Sequence, residues 1–238
     1  MKTISSRQNP IFKRVRAAIR EHGNEIVLEG PKQVDEAIAR GWRPLALLTR
    51  GATRDDAIAI LPALFDDLAE TKASQGVLAL FSRPQYTLQS ILARRETVAV
   101  ALDGVQDPGN VGTIVRLAAA FDAGGIILLP GCADPYGPKA VRSSAGAVLS
   151  VPVAEATIED VLRCGRPIFA ADITGKAVDP PADNAILVLG SEGSGVSEAI
   201  RSTATLLTIE TSGRIESLNV ASAAAILLQR SFQRRASG

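Results

Sequence analysis

Leu206 to Arg230 reads LLTIETSGRIESLNVASAAAILLQR. Leu206 to Ile209 is a short β-branched and apolar run and predicts a buried strand. Glu210 to Glu216 is polar and turn-prone. Val220 to Leu228 is apolar at every position except Ser222, which predicts a helix buried all round. Its alanines allow a neighbouring backbone to come close. Ser217 and Asn219 stand at the helix N-terminus, where the first backbone N–H groups lack partners and face whatever binds. On this segment alone, either residue reads simply as an N-cap, worth about 1 kcal/mol.

Working back from this unit, the chain repeats the alternation of strand and helix. Thr97 to Leu102 predicts a strand, followed by a loop and a helix from Val111 to Phe121. Strand Gly125 to Leu129, a loop rich in Gly and Pro, and a short helix near Lys139 to Ser144 come next. Strands Pro167 to Ala171 and Ile186 to Leu189 precede a helix capped by Ser197. Continuous apolar strands alternating with helices imply an α/β fold with a parallel sheet covered on both faces.

Before Arg83-Pro84-Gln85, the expected linker, lies a second α/β module. Pro10 to Arg20 predicts an amphipathic helix with Phe12, Val15 and Ile19 on one face. Glu25 to Leu28, Pro44 to Leu48 and Gly76 to Phe81 predict strands. Pro31 opens a helix that Gly41 ends. Asp55 to Ile60 and Leu64 to Ala69 predict helices split by Pro62. The expected domains are therefore residues 1–83 and 97–238, with a helix at Thr87 to Leu92 between them.

Composition bounds the chemistry. A formal net charge of +1 gives no global pull on nucleic acid, but Lys2, Arg7, Lys13, Arg14, Arg16 and Arg20 precede the first acid, Glu21. Such a local patch can track phosphates. An acid-free, Arg-containing start is also the composition of an organellar transit peptide; the apolar face of Phe12, Val15 and Ile19 favours a folded helix. Two cysteines, Cys132 and Cys164, and one histidine, His22, rule out most zinc sites, which need four N or S ligands, and His22, in a polar, Gly-adjacent loop far from every motif, disfavours a His-based triad. Isolated cysteines suit a reducing, cytoplasmic compartment. No run of eighteen apolar residues predicts a membrane span.

Two loops stand out. Asp103 to Gly112 runs from a strand end into a helix, where parallel sheets bind ligands. Asn110 reads as the N-cap of that helix. Arg116 lies among apolar neighbours and must reach a partner or the surface; alone it reads equally well as an arginine snorkelling to solvent. The loop Gly190 to Ser197 is glycine-rich after an apolar strand, without the Lys of a phosphate-binding loop. Glu192 within it reads either as a functional carboxylate or as a solvated turn residue.

Taken in order, DPGNVGTIVR (107–116), VLGSEGSGVS (188–197) and ESLNVASAAAILL (216–228) resemble the three motifs of the SpoU (TrmH-like) class of SPOUT RNA 2′-O-ribose methyltransferases. RSSAGA, Arg142 to Ala147, resembles a further element between the first two. This resemblance covers Thr97 to about Arg230. More loosely, ISSRQNPIFKRVR, EGPKQVDEAI and SQGVLAL resemble the N-terminal substrate-binding domain of the rRNA-modifying members, a small α/β domain like that of an RNA-binding ribosomal protein.

The resemblance implies S-adenosylmethionine as methyl donor, a deep trefoil knot in the C-terminal SPOUT domain and an obligate homodimer. Ordinary topology rules argue against any knot. It implies cofactor contacts around Leu189, Gly190, Gly193, Ile209, Leu218 and Asn219. The positions matching the catalytic motif residues are Asn110, Arg116, Glu192, Ser217 and Asn219, with Glu192 orienting Arg116 or the nucleotide. RNA contacts are expected from Lys13, Arg16, Arg20 and Arg142. A sulfonium methyl is already activated, so no metal is required. Ribosomal RNA is the expected substrate, favoured by the extra N-terminal domain. Transfer RNA, a resistance methylase, and a catalytically silent ribosome-assembly factor are the alternatives.

Overall fold

The computed structural model describes residues 3–21, 23–51, 54–69 and 74–237, so Lys2 and His22 lie outside the described residues. The chain divides into two compact units, Met1–Pro84 with Tyr136–Pro138, and Gln85–Pro135 with Lys139–Gly238.

In the first unit, helix α1 (Pro10–Glu21) buries Phe12 and Val15 and leaves Lys13, Arg16 and Arg20 exposed. Strand β1 (Thr3–Ile4) precedes it. Strand β2 (Glu25–Glu29), helix α2 (Pro31–Ala39) and strand β3 (Pro44–Arg50) follow the expected order. The next element departs from expectation. Ile58–Ile60 is a strand, β4, paired in parallel with β1 and β3 rather than part of a helix. The physical cause lies in Pro62, which occupies the first turn of α3 (Pro62–Asp66) and lets that helix start no earlier. Two isoleucines in a three-residue run then favour the sheet. Strand β5 (Val77–Ser82) runs antiparallel to both β2 and β3, so this sheet is mixed, in the order β1-β4-β3-β5-β2. Phe12, Leu48, Ile60, Phe65 and Leu80 fill its core.

The second unit is a six-stranded sheet, all of whose strand pairs are parallel. Its strands are β6 (Ala99–Asp103), β7 (Ile126–Leu128), β8 (Val153–Glu155), β9 (Ile168–Lys176), β10 (Ile186–Gly190) and β11 (Thr205–Leu207). They lie in the order β11-β9-β10-β6-β7-β8. From β6 the chain builds outward through β7 and β8, then crosses to the other side. The carboxyl ends of β6 and β10 therefore flank the point where strand order switches, the usual ligand crevice of open α/β sheets. Helices α4 (Leu88–Leu92), α5 (Pro108–Ala120), α6 (Pro138–Ser143), α7 (Ile158–Arg163), α8 (Glu198–Arg201) and α9 (Val220–Ala236) complete the unit.

Three local features differ from the sequence reading. Strand β8 and helix α7 fill a segment for which no element was expected. The last strand stops at Leu207 rather than Ile209. Helix α9 continues past Leu228 to Ala236 and is not buried all round: Ser222 is exposed and Ala223, Ala225 and Ile226 are half-buried. Its inner side packs on α5, and its last turn is anchored by Arg235, which pairs with Asp122 at 3.1 Å. Asp122, just past the end of α5, also pairs with Arg94 at 3.0 Å. No described helix is long and apolar enough to cross a membrane.

Candidate active site

Strand pairing sets the site. Gly190 lies opposite Asp103 in the β10–β6 register, so the two loops singled out in the sequence begin side by side. Asp103, only 7% exposed, bonds across the gap: its Oδ2 accepts the N–H of Ser197 at 2.7 Å. Ser197 occupies the N-cap position of α8, as expected, but its side chain makes no capping bond.

The loop after β10 is a tight reversal. Ser191 and Gly195 exchange backbone hydrogen bonds of 3.1 and 2.9 Å. A Cβ on Gly190 would fall 2.1 Å from the carbonyl carbon of Gly195, so no larger residue fits without moving the loop. The loop after β6 opens α5 earlier than the sequence suggested. Pro108 takes the first helical position, and the N-cap is Asp107, whose side chain accepts the N–H of Asn110 at 3.0 Å. Asn110 is thus inside the first turn and not the cap. Lys139 pairs with Asp107 at 2.8 Å, and this contact together with the Asn110 N–H holds the Asp107 carboxyl below its ordinary pKa. Gly112 lets α6 come close; a Cβ there would fall 2.2 Å from the Ala140 carbonyl oxygen.

With its backbone inside the helix, the Asn110 side chain is free to bridge. Its Nδ2 donates to Glu192 Oε1, and its Oδ1 accepts from Asn219 Nδ2 at 3.2 Å. Asn219 is the N-cap of α9, its Oδ1 accepting the N–H groups of Ala221 and Ser222 at 2.9 and 3.3 Å. One directional chain therefore runs from the N-terminus of α9 through two amides to a carboxylate. It unites the three stretches read as motifs. The network suits one orientation of each amide, because each oxygen accepts only from N–H groups and the Asn110 nitrogen faces a carboxylate.

The other expected residues sit differently. Arg116 is exposed on α5 and makes no hydrogen bond or ion pair among the described residues. Six residues from Asn110, it lies about 120° around the helix axis. Glu192 was expected to orient Arg116 or the nucleotide; here it takes the Asn110 amide. Ser217 is exposed, Leu218 and Ile209 are half-buried, Leu189 is buried beneath the loop, and Gly193 is exposed at its tip. Arg142 is exposed at the end of α6. Cys132 donates to the Leu102 carbonyl, and burial pushes its thiol pKa up. Asp103 and Asp107 went unnoticed in the sequence reading. For Asp107 the signal was present, since an Asp directly before a Pro is a strong helix start.

The chain is similar to known proteins in sequence and in fold. The SpoU rRNA Methylase family pattern matches residues 97–229, and the chain belongs to that family. The chain is 29% identical to the 23S rRNA (uridine(2479)-2′-O)-methyltransferase of Streptomyces viridochromogenes, over 92% of this chain and 86% of that protein. It is likewise 29% identical to the 23S rRNA (guanosine(2553)-2′-O)-methyltransferase RlmP of Bacillus subtilis, over 86% of this chain and 87% of that one. Among solved structures, the AdoMet-bound rRNA methyltransferase of Sinorhizobium meliloti superposes with a TM-score of 0.86 at 30% identity, covering 98% of each chain.

Proposed function

We propose that this protein transfers a methyl group from S-adenosylmethionine to a ribose 2′-hydroxyl of ribosomal RNA. The carrying observation is the Asn219–Asn110–Glu192 hydrogen-bond chain, which ties three loops together at the switch point of a parallel sheet. Relatives that align with most of this chain are named for 23S rRNA, which favours rRNA over tRNA. Residues 1–83 are assigned to RNA binding, through Lys13, Arg16 and Arg20, and residues 97–238 to catalysis, with Arg142 as a further RNA contact.

S-adenosylmethionine fits the backbone around Leu189, Gly190, Gly193, Ile209 and Leu218. Gly193 is exposed, and a Cβ placed on it would meet nothing within 4 Å, which leaves room for a ligand beside it. From residue 209 to 218 the backbone donates one hydrogen bond among the described residues, Gly213 N–H to Thr211 Oγ1 at 3.3 Å. The remaining peptides there are available to the adenosyl group and the amino-acid tail. The cofactor supplies an already activated methyl group. What remains for the protein is alignment of the hydroxyl and handling of its charge, and near-attack positioning accounts for much of such an acceleration.

Arg116 is the residue for that charge. Its exposure leaves the guanidinium open to a phosphate beside the target ribose, where it also stabilises developing alkoxide charge. Guanidinium keeps its proton, so electrostatic stabilisation suits it better than base catalysis. Glu192 keeps one oxygen for the nucleotide while Asn110 holds the other. Asn219 holds Asn110 and the helix start and keeps one N–H for the ribose or the cofactor, which exposed Ser217 can also meet. The trefoil knot belongs to this reading. It is supported by β10 lying between β6 and the earlier β9, and by Gly175, where a Cβ would fall 2.6 Å from the Leu207 backbone. So do a homodimer built on the outer side of α9, a cytoplasmic location and a metal-free reaction.

Transfer of tritium from methyl-labelled S-adenosylmethionine to ribosomal RNA tests the reading. Label recovered in 2′-O-methylnucleosides is expected. RNA binding with no transfer would instead favour a silent ribosome-assembly factor.

A further inference from the structure

Two nearly buried carboxylates hold the loop 190–197 and the helix after it, Asp103 through the Ser197 N–H and Asp172 through Arg201, and Asp172 has no part in the function above. Its side chain is 2% exposed and pairs with Arg201 through Oδ2, 2.7 Å from Nη2. Its Oδ1 accepts the N–H and O–H of Thr174 at 2.8 and 2.7 Å. Burial works against its charge, yet Thr174 and Arg201 hold its carboxyl below the ordinary pKa. Asp172 lies where β9 leaves the ladder: Leu206 pairs with Ala170, but Leu207 pairs with Lys176. The intervening residues break the register, and Asp172 among them reaches Arg201, the last residue of α8.

The guanidinium also lies close to the loop. Nη2 of Arg201 would lie 3.6 Å from a Cβ placed on Gly195, a residue at φ +67°. Glu198 is 4.0 Å from Arg201 Nε and 86% exposed, so Asp172 is the partner that fixes the group. The pair is half-buried, with Asp172 covered and a third of the Arg201 side chain exposed, and taking the carboxylate out of water offsets much of the Coulombic gain. Its place beside the reversal at Gly195, a loop whose Ser197 N–H is held separately by Asp103, gives it a reason beyond stability.

We propose that Asp172 and Arg201 are positioning residues for the cofactor, their ion pair bracing the loop 190–197 from behind so that the peptides at Glu192 and Gly193 keep the geometry that binds S-adenosylmethionine. The inference rests on cofactor binding at this loop, as proposed above. A site whose supports are left loose loses geometry and affinity even when its own residues are intact.

Calorimetric titration of the full chain with S-adenosylmethionine, paired with thermal melting, separates the two claims. No binding by the wild-type protein overturns the functional reading and this inference together. With wild-type binding measured, Arg201→Gln is expected to raise Kd about tenfold. In transfer to ribosomal RNA it should raise the KM for S-adenosylmethionine while kcat stays within about twofold. Asp172→Asn should do the same, and the double variant should be no weaker than either single change, because both remove one interaction. A lowered melting temperature with wild-type Kd in Arg201→Gln, or fully additive losses in the double variant, overturns the proposal. If Arg201→Gln does not fold, Arg201→Lys takes its place. It keeps the charge for Asp172 but loses the planar fork, and a Kd about threefold above wild type is expected; an unchanged Kd overturns the proposal.

Discussion

Arg116 and Asn110 share helix α5 but not its face, and they invite different experiments. A surface arginine with no partner changes stability by less than about 0.5 kcal/mol when truncated. Arg116→Ala should accordingly melt like wild type and bind S-adenosylmethionine normally. Its kcat should fall on the order of 100-fold, the usual loss when one charge-stabilising group is removed. Arg116→Lys should be nearly as inactive, because an ammonium lacks the bidentate fork. Full activity of the lysine variant would refute the geometric role, and full activity of the alanine variant would refute any catalytic role. At this scale the sequence is legible for identity and poor for contact. Asn110, Glu192 and Asn219 were visible as motif residues, yet they sit 82 and 109 positions apart in their bonds, and nothing local announces who meets whom. Asn110 looked like a cap because Asn suits that position; Pro108 shifted the helix start and freed it. Asp103 and Asp172 stayed invisible because a carboxylate at a strand end looks the same whether it meets solvent or a buried donor.

Among the elements, α9 and α1 carry the clearest tests. A fully apolar run predicted burial on every side, but α9 keeps Ser222, Ala225, Ile226 and Gln229 exposed or half-buried along one stripe. The spacing of that stripe is helical, and in the proposed homodimer a second copy would cover its apolar members, Ala225 and Ile226. Ala224, by contrast, is fully buried within the chain itself, so a charge there would test folding alone. Ala225→Glu is the sharper variant: the protein should stay folded and sediment as a monomer, because a charge buried unpaired at an interface costs several kcal/mol. A wild-type monomer at micromolar concentration would contradict the dimer. Helix α1 leaves Lys13, Arg16 and Arg20 exposed with no ion pair among the described residues, whereas Arg14 is occupied by Glu25. Changing the three to Glu should raise the Kd for ribosomal RNA and flatten its salt dependence, by roughly one unit of slope per lost phosphate contact. S-adenosylmethionine affinity should not move, and unaltered RNA binding would leave these charges as a solvated face. Helices with strong periodicity were readable from the chain. Short elements are not: the run that forms β4 reads as helix, and β8 with α7 carries one local mark, the capping box of Thr157 and Asp160 where α7 begins.

For the whole molecule, alternation of apolar strands and helices was enough to place a parallel sheet in the C-terminal part and a smaller α/β module before it. The order in which strands join the sheet was not readable, since hydrophobic runs specify burial and not neighbours. The mixed sheet of the first unit shows the same limit: β5 is as apolar as a parallel strand but runs antiparallel to both neighbours. What the assembled molecule adds is convergence, three loops from distant sequence held in one hydrogen-bond chain. The central claim is that this convergence modifies ribosomal RNA at a ribose. The most direct measurement is a map of 2′-O-methyl positions across ribosomal and transfer RNA from cells with and without the gene. The account predicts that a 2′-O-methyl mark in ribosomal RNA disappears with the gene and returns with the wild-type protein but not with Arg116→Ala. Identical ribosomal maps in the two strains, or loss confined to transfer RNA, would contradict it.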